Sequence, residues 1–330
     1  MGRQSISGIF GATLRFLAVV SAFVGLISGL HPAVSADRPI TIVVPFSPGG
    51  APDAGARLLA PRMSEQLGKS VIVENRPGAG SMVGTDVVAK SKPDGYTLLM
   101  GTVGNTIAST YIKNLPHDFE RDLIPVAQVA SVPGVLIVSP SFPAQNVQEL
   151  IAYLRAHPGK VTYGSPGVGT SVHMAGELFQ YMTETKMLHV PYRGASNALT
   201  DILGGRVDIM FPAMAAALPH VKAGKVRVLG VTTRDRTALA PEIPAVRESL
   251  PGYEVGAWIG LFAPKGTPEA AIDRIHEAVA KSLLMPEMRE AMMNSGFEPV
   301  KSSRADFKEL VKKETIRWAK VIKAANIQQE

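Results

Sequence analysis

An α/β chain of two lobes joined by two strand crossings is the fold class this sequence predicts. Short Val- and Ile-rich runs alternate with amphipathic helical patterns from Ile40 onward. The alternation pauses at one long apolar pair, VAQVASVPGVLIVSP, and then resumes. A late apolar run, VGAWIGLFAPKGTP, precedes three C-terminal helical segments and is positioned to return the chain to the first lobe. Strands covered by helices on both faces read as unbroken apolar runs, which is why the pattern implies largely parallel sheets. The expected division is lobe I over 37–135 and 256–330 and lobe II over 136–255, a topology suited to hinge closure.

The first 36 residues are set apart as a leader. Arg3 and Arg15 supply a positive start, residues 16–30 are uncharged and apolar, and Ala33-Val34-Ser35-Ala36 offers small residues for cleavage after Ala36. This reads as a signal peptide for export to the periplasm. The remaining 294 residues suffice for two cores.

ITIVVPF is the first strand. A helix over 52–67 follows, where Leu59, Met63 and Leu67 recur at four-residue spacing and form one apolar stripe. SVIVENRP, a helix over 82–90 stopped by Lys92-Pro93-Asp94-Gly95, and YTLLMGT complete a βαβαβ unit. The second lobe reads as a helix over 145–157 closed by Pro158-Gly159, the strand VTYGSP, and a helix over 171–183. LHVPYR, a helix over 197–203, VDIMFPA, a helix over 216–223 and VRVLGVTT continue it. A loop rich in Pro and charge, 233–252, leads to the return strand, and helices over 268–284, 286–294 and 303–325 end the chain.

Composition removes several function classes. There is no Cys, so neither disulfide nor thiolate chemistry is available. The net charge of +6 falls by two without Arg3 and Arg15, and the basic residues are interleaved with acids rather than clustered with aromatics, so nucleic acid is not an expected partner. The seven His lack metal-ligand spacing, and no cofactor is expected. No GxSxG elbow, HExxH or dinucleotide glycine pattern with a downstream acid is present, and an enzyme is not expected.

Three stretches suit an anion. In PFSPGGAPD the strand ends at Phe46, Gly49 and Gly50 turn the chain, and Pro52 sits well at a helix start. Free N–H groups there, beside Ser47, favour a carboxylate. Asp53 either steadies its own helix or faces the ligand. In YGSPGVGTSVHM, the loop 165–169 from Ser165 to Gly169 leads to Thr170 or Ser171 as N-cap, with His173 in the first turn. It has Walker-loop glycines at Gly164 and Gly169, but Thr170 stands where Lys is required. In VPYRGASNALTDIL, Arg193 is a cation in a strand-end loop before a helix start, able to hold a carboxylate in a fork or to make a surface ion pair. MFPAMAA, with Pro212, would line a cleft with small residues.

These runs, with VIVENRPGAGSMVGTDVVAKSKPDGYTLLMGT and WIGLFAPKGTP, resemble the Bug family of extracytoplasmic receptors, the solute-binding proteins of tripartite tricarboxylate transporters. The similarity covers essentially the whole chain beyond the leader. It implies a two-lobed, type II periplasmic-binding-protein fold (a Venus flytrap) with a carboxylate clamped in the cleft by the first βα loop. Carried over by position, the family's ligand contacts fall on Phe46, Ser47, Gly49, Gly50 and Asp53. Its strand-end motif falls on Gly101 and Thr102, its second helix start on Gly169, Thr170, Ser171 and His173, and its VPYRG loop on Arg193, Gly194 and Ala195. Pro52 departs from the Thr of many members and removes one hydroxyl. Val168 and Val172 suit an apolar or aromatic part of the ligand. The implied partners are the membrane subunits of a transporter, with the receptor itself a monomer. The alternatives are a carboxylate sensor that docks to a membrane signalling protein and, more distantly, an exported hydrolase using His173 with Ser171 or Asp201.

Overall fold

The computed structural model describes residues 38–112, 115–324 and 327; the leader read in residues 1–36 lies outside them. The first sheet starts with β1 (Ile40–Val44), β2 (Val71–Asn75) and β3 (Thr97–Thr102), parallel and with β1 in the middle. The chain leaves β1 through α1 (Ala51–Leu67) to reach β2 on one side. It returns through α2 (Met82–Ala89) to β3 on the other. Reversing direction about β1 opens a crevice beyond the carboxyl ends of β1 and β3, where α1 and α3 (Val103–Tyr111) begin.

After α4 (Phe119–Asp122), β4 (Leu123–Val132) leads across Pro133 and Gly134 into the second sheet. That sheet contains β5 (Val135–Val138), β6 (Thr162–Ser165), β7 (Leu188–Pro191), β8 (Ile209–Met210) and β9 (Arg227–Val231), in the order β7-β6-β8-β5-β9. Its helices are α5 (Val147–Ala156), α6 (Ser171–Thr183), α7 (Ala195–Leu203) and α8 (Met214–Lys222). Here β6 lies between and parallel to β7 and β8, so the same reversal recurs and opens a second crevice where α6 and α8 begin. β10 (Ala257–Pro264) returns the chain to the first sheet, antiparallel between β3 and β4. After α9 (Glu269–Leu284) and α10 (Pro286–Asn294), β11 (Glu298–Pro299) adds an edge, giving the order β11-β4-β10-β3-β1-β2, and α11 (Arg304–Ala324) follows. Both sheets lie within one compact unit that starts at Pro39. No helix among the described residues is long and apolar enough to cross a membrane.

The apolar stripe of α1 performs the packing its spacing implies. Leu59 and Met63 are fully buried with Ile40, Ile42 and Met100, each side chain of this size contributing about 1.5–3 kcal/mol. α11 lies against α3 and β4, so the C-terminal helix braces a helix that opens on the crevice.

Several helix starts differ from the expectation. α3 is absent from the expected elements, because Thr102 is both the last residue of β3 and the N-cap of the next helix, leaving no loop to announce the change. α7 and α8 begin at Ala195 and Met214, two residues before the expected 197 and 216. Their N-caps, Gly194 and Ala213, make no side-chain hydrogen bond, so no polar residue marks the boundary. α5 starts at Val147 behind the Asn146 cap rather than at 145. The charged loop 233–252 contains a short 3-10 turn, Val246–Glu248.

Candidate ligand-binding site

Five helix starts converge on one cleft between the sheets, with about 650 Å3 of space including the part open to solvent. α1 contributes Gly50, Ala51 and Pro52, and α3 contributes Thr102 and Gly104. Thr170, Ser171 and Val172 come from α6, Ala195 from α7, and Ala213 and Ala216 from α8. Phe46 and Ser47 end the β1 side, Pro166 the β6 side, and the crossing strands add Val132, Ala257, Trp258 and Ile259. None of the described residues on this wall carries a charge. The positive ends of helix dipoles and unpaired first-turn N–H groups therefore set the potential.

The two threonine hydroxyls on the wall are already engaged in building the loops. Thr102 Oγ1 accepts from Gly104 N–H at 3.0 Å, and Asn105 closes the capping box by accepting from Thr102 N–H at 2.9 Å. Thr170 Oγ1 donates to Gly167 O at 2.7 Å and accepts from His173 N–H at 3.3 Å. By contrast, no side chain caps α1, α7 or α8. At α8 first-turn amides already have backbone partners, Met214 N–H donating to Pro133 O at 2.6 Å and Ala216 N–H to Ala213 O at 3.0 Å, so the missing side-chain caps leave a place for an anion at α1 and α7.

The loops after β1 and β7 touch across the cleft. Ser47 Oγ donates to Arg193 O at 3.0 Å, and Ser196 Oγ donates to Pro48 O at 2.9 Å. Glycine makes the approach possible: a Cβ on Gly194 would lie 2.8 Å from Ser47 Cβ, and one on Gly49, which holds φ +86°, would lie 3.2 Å from Ser196 Oγ. The starts of α3 and α6 also meet, with a Cβ on Gly104 falling 3.8 Å from Thr170 Cα.

Other residues read from the sequence stand behind this wall. Asp53 is buried, and its carboxylate accepts from Gly49 N–H (3.0 Å), Arg57 Nε (3.0 Å) and Asn75 Nδ2 (2.9 Å). It braces the first turn from inside rather than lining the cavity. Burial alone raises its carboxyl, but the bonds from Gly49, Arg57 and Asn75 and the Arg57 charge hold it below the ordinary carboxylate value. Ser165 Oγ is fully buried and bonds Gly167 and His189 Nε2. Gly101 lies under the Phe262 ring, and Pro212 is buried with its carbonyl accepting from Val135 N–H. The Arg193 side chain is exposed and lines a separate mouth with Pro77 and Tyr192, while only its carbonyl reaches Ser47.

His173 is buried beneath α6, its ring centroid 4.3 Å from that of His189, and its Nδ1 accepts from Gly169 N–H at 3.3 Å. That nitrogen is therefore not available as a base for Ser171. Burial first and the neighbouring His189 second lower its pKa to about 3. The stabilisation from this neutral imidazole is complete above the ordinary value near 6.5 and is lost as pH falls from there toward 3. Stability is expected to fall by up to about 1.4 kcal/mol per pH unit in that window. His173→Gln is expected to flatten the slope in urea titrations between pH 6.5 and 4; an unchanged slope would show that His173 is not the group responsible.

Gly104, Val132, Pro166, Ala257, Trp258 and Ile259 are wall residues that the sequence did not single out. The return strand was recognised in WIGLFAPKGTP, but an apolar strand carries no mark of which residue faces a cleft. Small residues of MFPAMAA do reach the wall, as Ala213 and Ala216.

The profile of the tripartite tricarboxylate transporter family receptors, TctC, matches residues 55–327. The chain belongs to this family. The receptor is similar to the periplasmic binding protein BugD, with 33% identity, a TM-score of 0.84 and coverage of 89% of this chain and 99% of that one. It is also similar to Rpa4515 of R. palustris, solved with adipate, at 35% identity and a TM-score of 0.86, covering 90% of this chain and 99% of that one. MatC of Rhodopseudomonas palustris, with bound malate, gives 31% identity, a TM-score of 0.83 and coverage of 86% and 99%. These neighbours are two-lobed solute-binding proteins, which gives the receptor both its fold class and its general role.

Proposed function

We propose that this receptor works in the periplasm, closes on a small organic carboxylate between its two sheets, and delivers it to the membrane subunits of a tripartite transporter. The convergence of uncapped helix starts on an uncharged cavity is the observation that supports this reading. Neighbours solved with adipate and malate support a carboxylate as the ligand class. The lobes divide at Pro133 and Gly134 and again at Gly256, where the chain crosses between sheets. Closure requires a ligand that binds the closed form better than the open one. Donors from α1 and α3 on one lobe and α6 and α7 on the other provide that difference, because a carboxylate meets both sets only when the lobes are together.

A thermal-shift screen of the ligand-free receptor, residues 37–330, against a carboxylate library tests the reading. At least one acid is expected to raise the melting temperature in a saturable way; a flat response across the library would contradict it. Backbone donation further implies an order of mutational effects. Gly50 has φ −85° and room for a Cβ, so Gly50→Val fills the cavity without straining the turn. It is expected to weaken binding by about 30-fold or more, and Arg193→Ala by less than about threefold, read by calorimetry. The reverse order would make the arginine the anchor.

A further inference from the structure

We infer that the receptor selects carboxylic acids with an uncharged hydrocarbon or aromatic body, and discriminates against acids whose body carries an ammonium group or a third carboxylate. The inference rests on the carboxylate reading above and concerns what the rest of the cavity can accept. Apart from the backbone donors at the helix starts, the wall is made of Phe46, Val132, Val172, Trp258 and Ile259 with the methyl groups of five alanines. No carboxylate lies on it to receive an ammonium. The nearest acid in α1, Asp53, is buried behind the turn with three donors already upon it.

The wall's side chains also have little left to offer a further carboxylate. Ser47, Thr102 and Thr170 use their hydroxyls within the protein. What remains is Ser171 and Trp258, whose Nε1–H is buried without a protein partner and is a neutral donor rather than an acceptor. Among the described residues, the wall carries no Lys or Arg. A charge on the ligand body would leave water and meet only methyl and methylene groups, which disfavours it strongly. A terminal carboxylate avoids this because the helix dipoles and first-turn amides replace its hydration.

Matched pairs isolate the body from the carboxylates. Glutarate and glutamate differ by one ammonium, and glutarate and tricarballylate by one carboxylate; 3-phenylpropionate and phenylalanine extend the first comparison to an aromatic body. Titrations of the ligand-free receptor, followed by calorimetry and by the fluorescence of Trp258 in a Trp318→Phe background, are expected to show the uncharged-body member binding at least about tenfold tighter in each pair that binds. Glutamate, phenylalanine or tricarballylate binding as tightly as its partner, or tighter, overturns the inference while leaving the carboxylate reading intact. If no acid in these pairs or in the wider library binds, the carboxylate reading fails and this inference falls with it.

Discussion

Gly194→Ala is expected to leave the receptor folded and to weaken ligand binding by about tenfold to a hundredfold, equivalent to roughly 1.4–2.8 kcal/mol. Gly194 has φ −177°, an extended conformation open to any residue, so the backbone itself is not strained by the change. The obstacle is across the cleft, where the new Cβ would lie 2.8 Å from Ser47 Cβ and 3.1 Å from Ser47 Oγ. Relief comes from parting the loops, which breaks the bonds from Ser47 to Arg193 O and from Ser196 to Pro48 O. The free protein's unfolding free energy should stay within about 1 kcal/mol, because the two bonds lost join exposed loop residues rather than core side chains. Calorimetry gives the affinity and small-angle scattering the compactness of the liganded form. Unchanged affinity would mean that the approach of these loops is not coupled to binding.

Trp318→Ala is expected to act on the opposite property, lowering stability by about 3–5 kcal/mol while leaving affinity within about threefold at low temperature. Trp318 is fully buried in α11, its Nε1–H donates to Glu314 Oε2 at 3.0 Å, and it does not line the cavity. The adjacent Arg317 donates to Glu254 O, tying the same helix turn to the chain just before it re-enters the first sheet. Removing the indole leaves a void between α11 and the elements it supports. Urea unfolding reads the loss; a stability change under about 1 kcal/mol would show that the helix docks without this anchor.

Much of the fold was legible because the alternation of apolar runs and amphipathic stripes follows from backbone periodicity. Leu59 and Met63 fall in the core for the reason their spacing suggested. The βα turns at Gly49-Gly50 and 165–169 were legible for a related reason, since glycine and hydroxyl residues between a strand and a helix have few other uses. What was not legible depended on contacts between distant segments. Nothing local reveals that Asp53 turns inward to Gly49, Arg57 and Asn75, or that Gly194 is small because Ser47 arrives from 147 residues earlier. Nor does an exposed Arg in an anion-ready loop announce that its carbonyl, rather than its guanidinium, is the group turned to the other lobe. α3 escaped notice because Thr102 ends a strand and caps a helix at once, and with it went Gly104 as part of the wall.

In the function proposed above, backbone amides at helix starts, without a cation, hold the ligand carboxylate. Nitrogen-15 and proton spectra of the deuterated receptor, recorded while titrating in the tightest-binding acid, address it at the atoms concerned. Downfield proton shifts are expected for the amides of Ala51, Ala195 and Ser196, at the starts of α1 and α7 that lack side-chain caps, with the Arg193 Nε–H resonance unmoved. A large downfield shift of Arg193 Nε–H, with those amides unmoved at saturation, would contradict it.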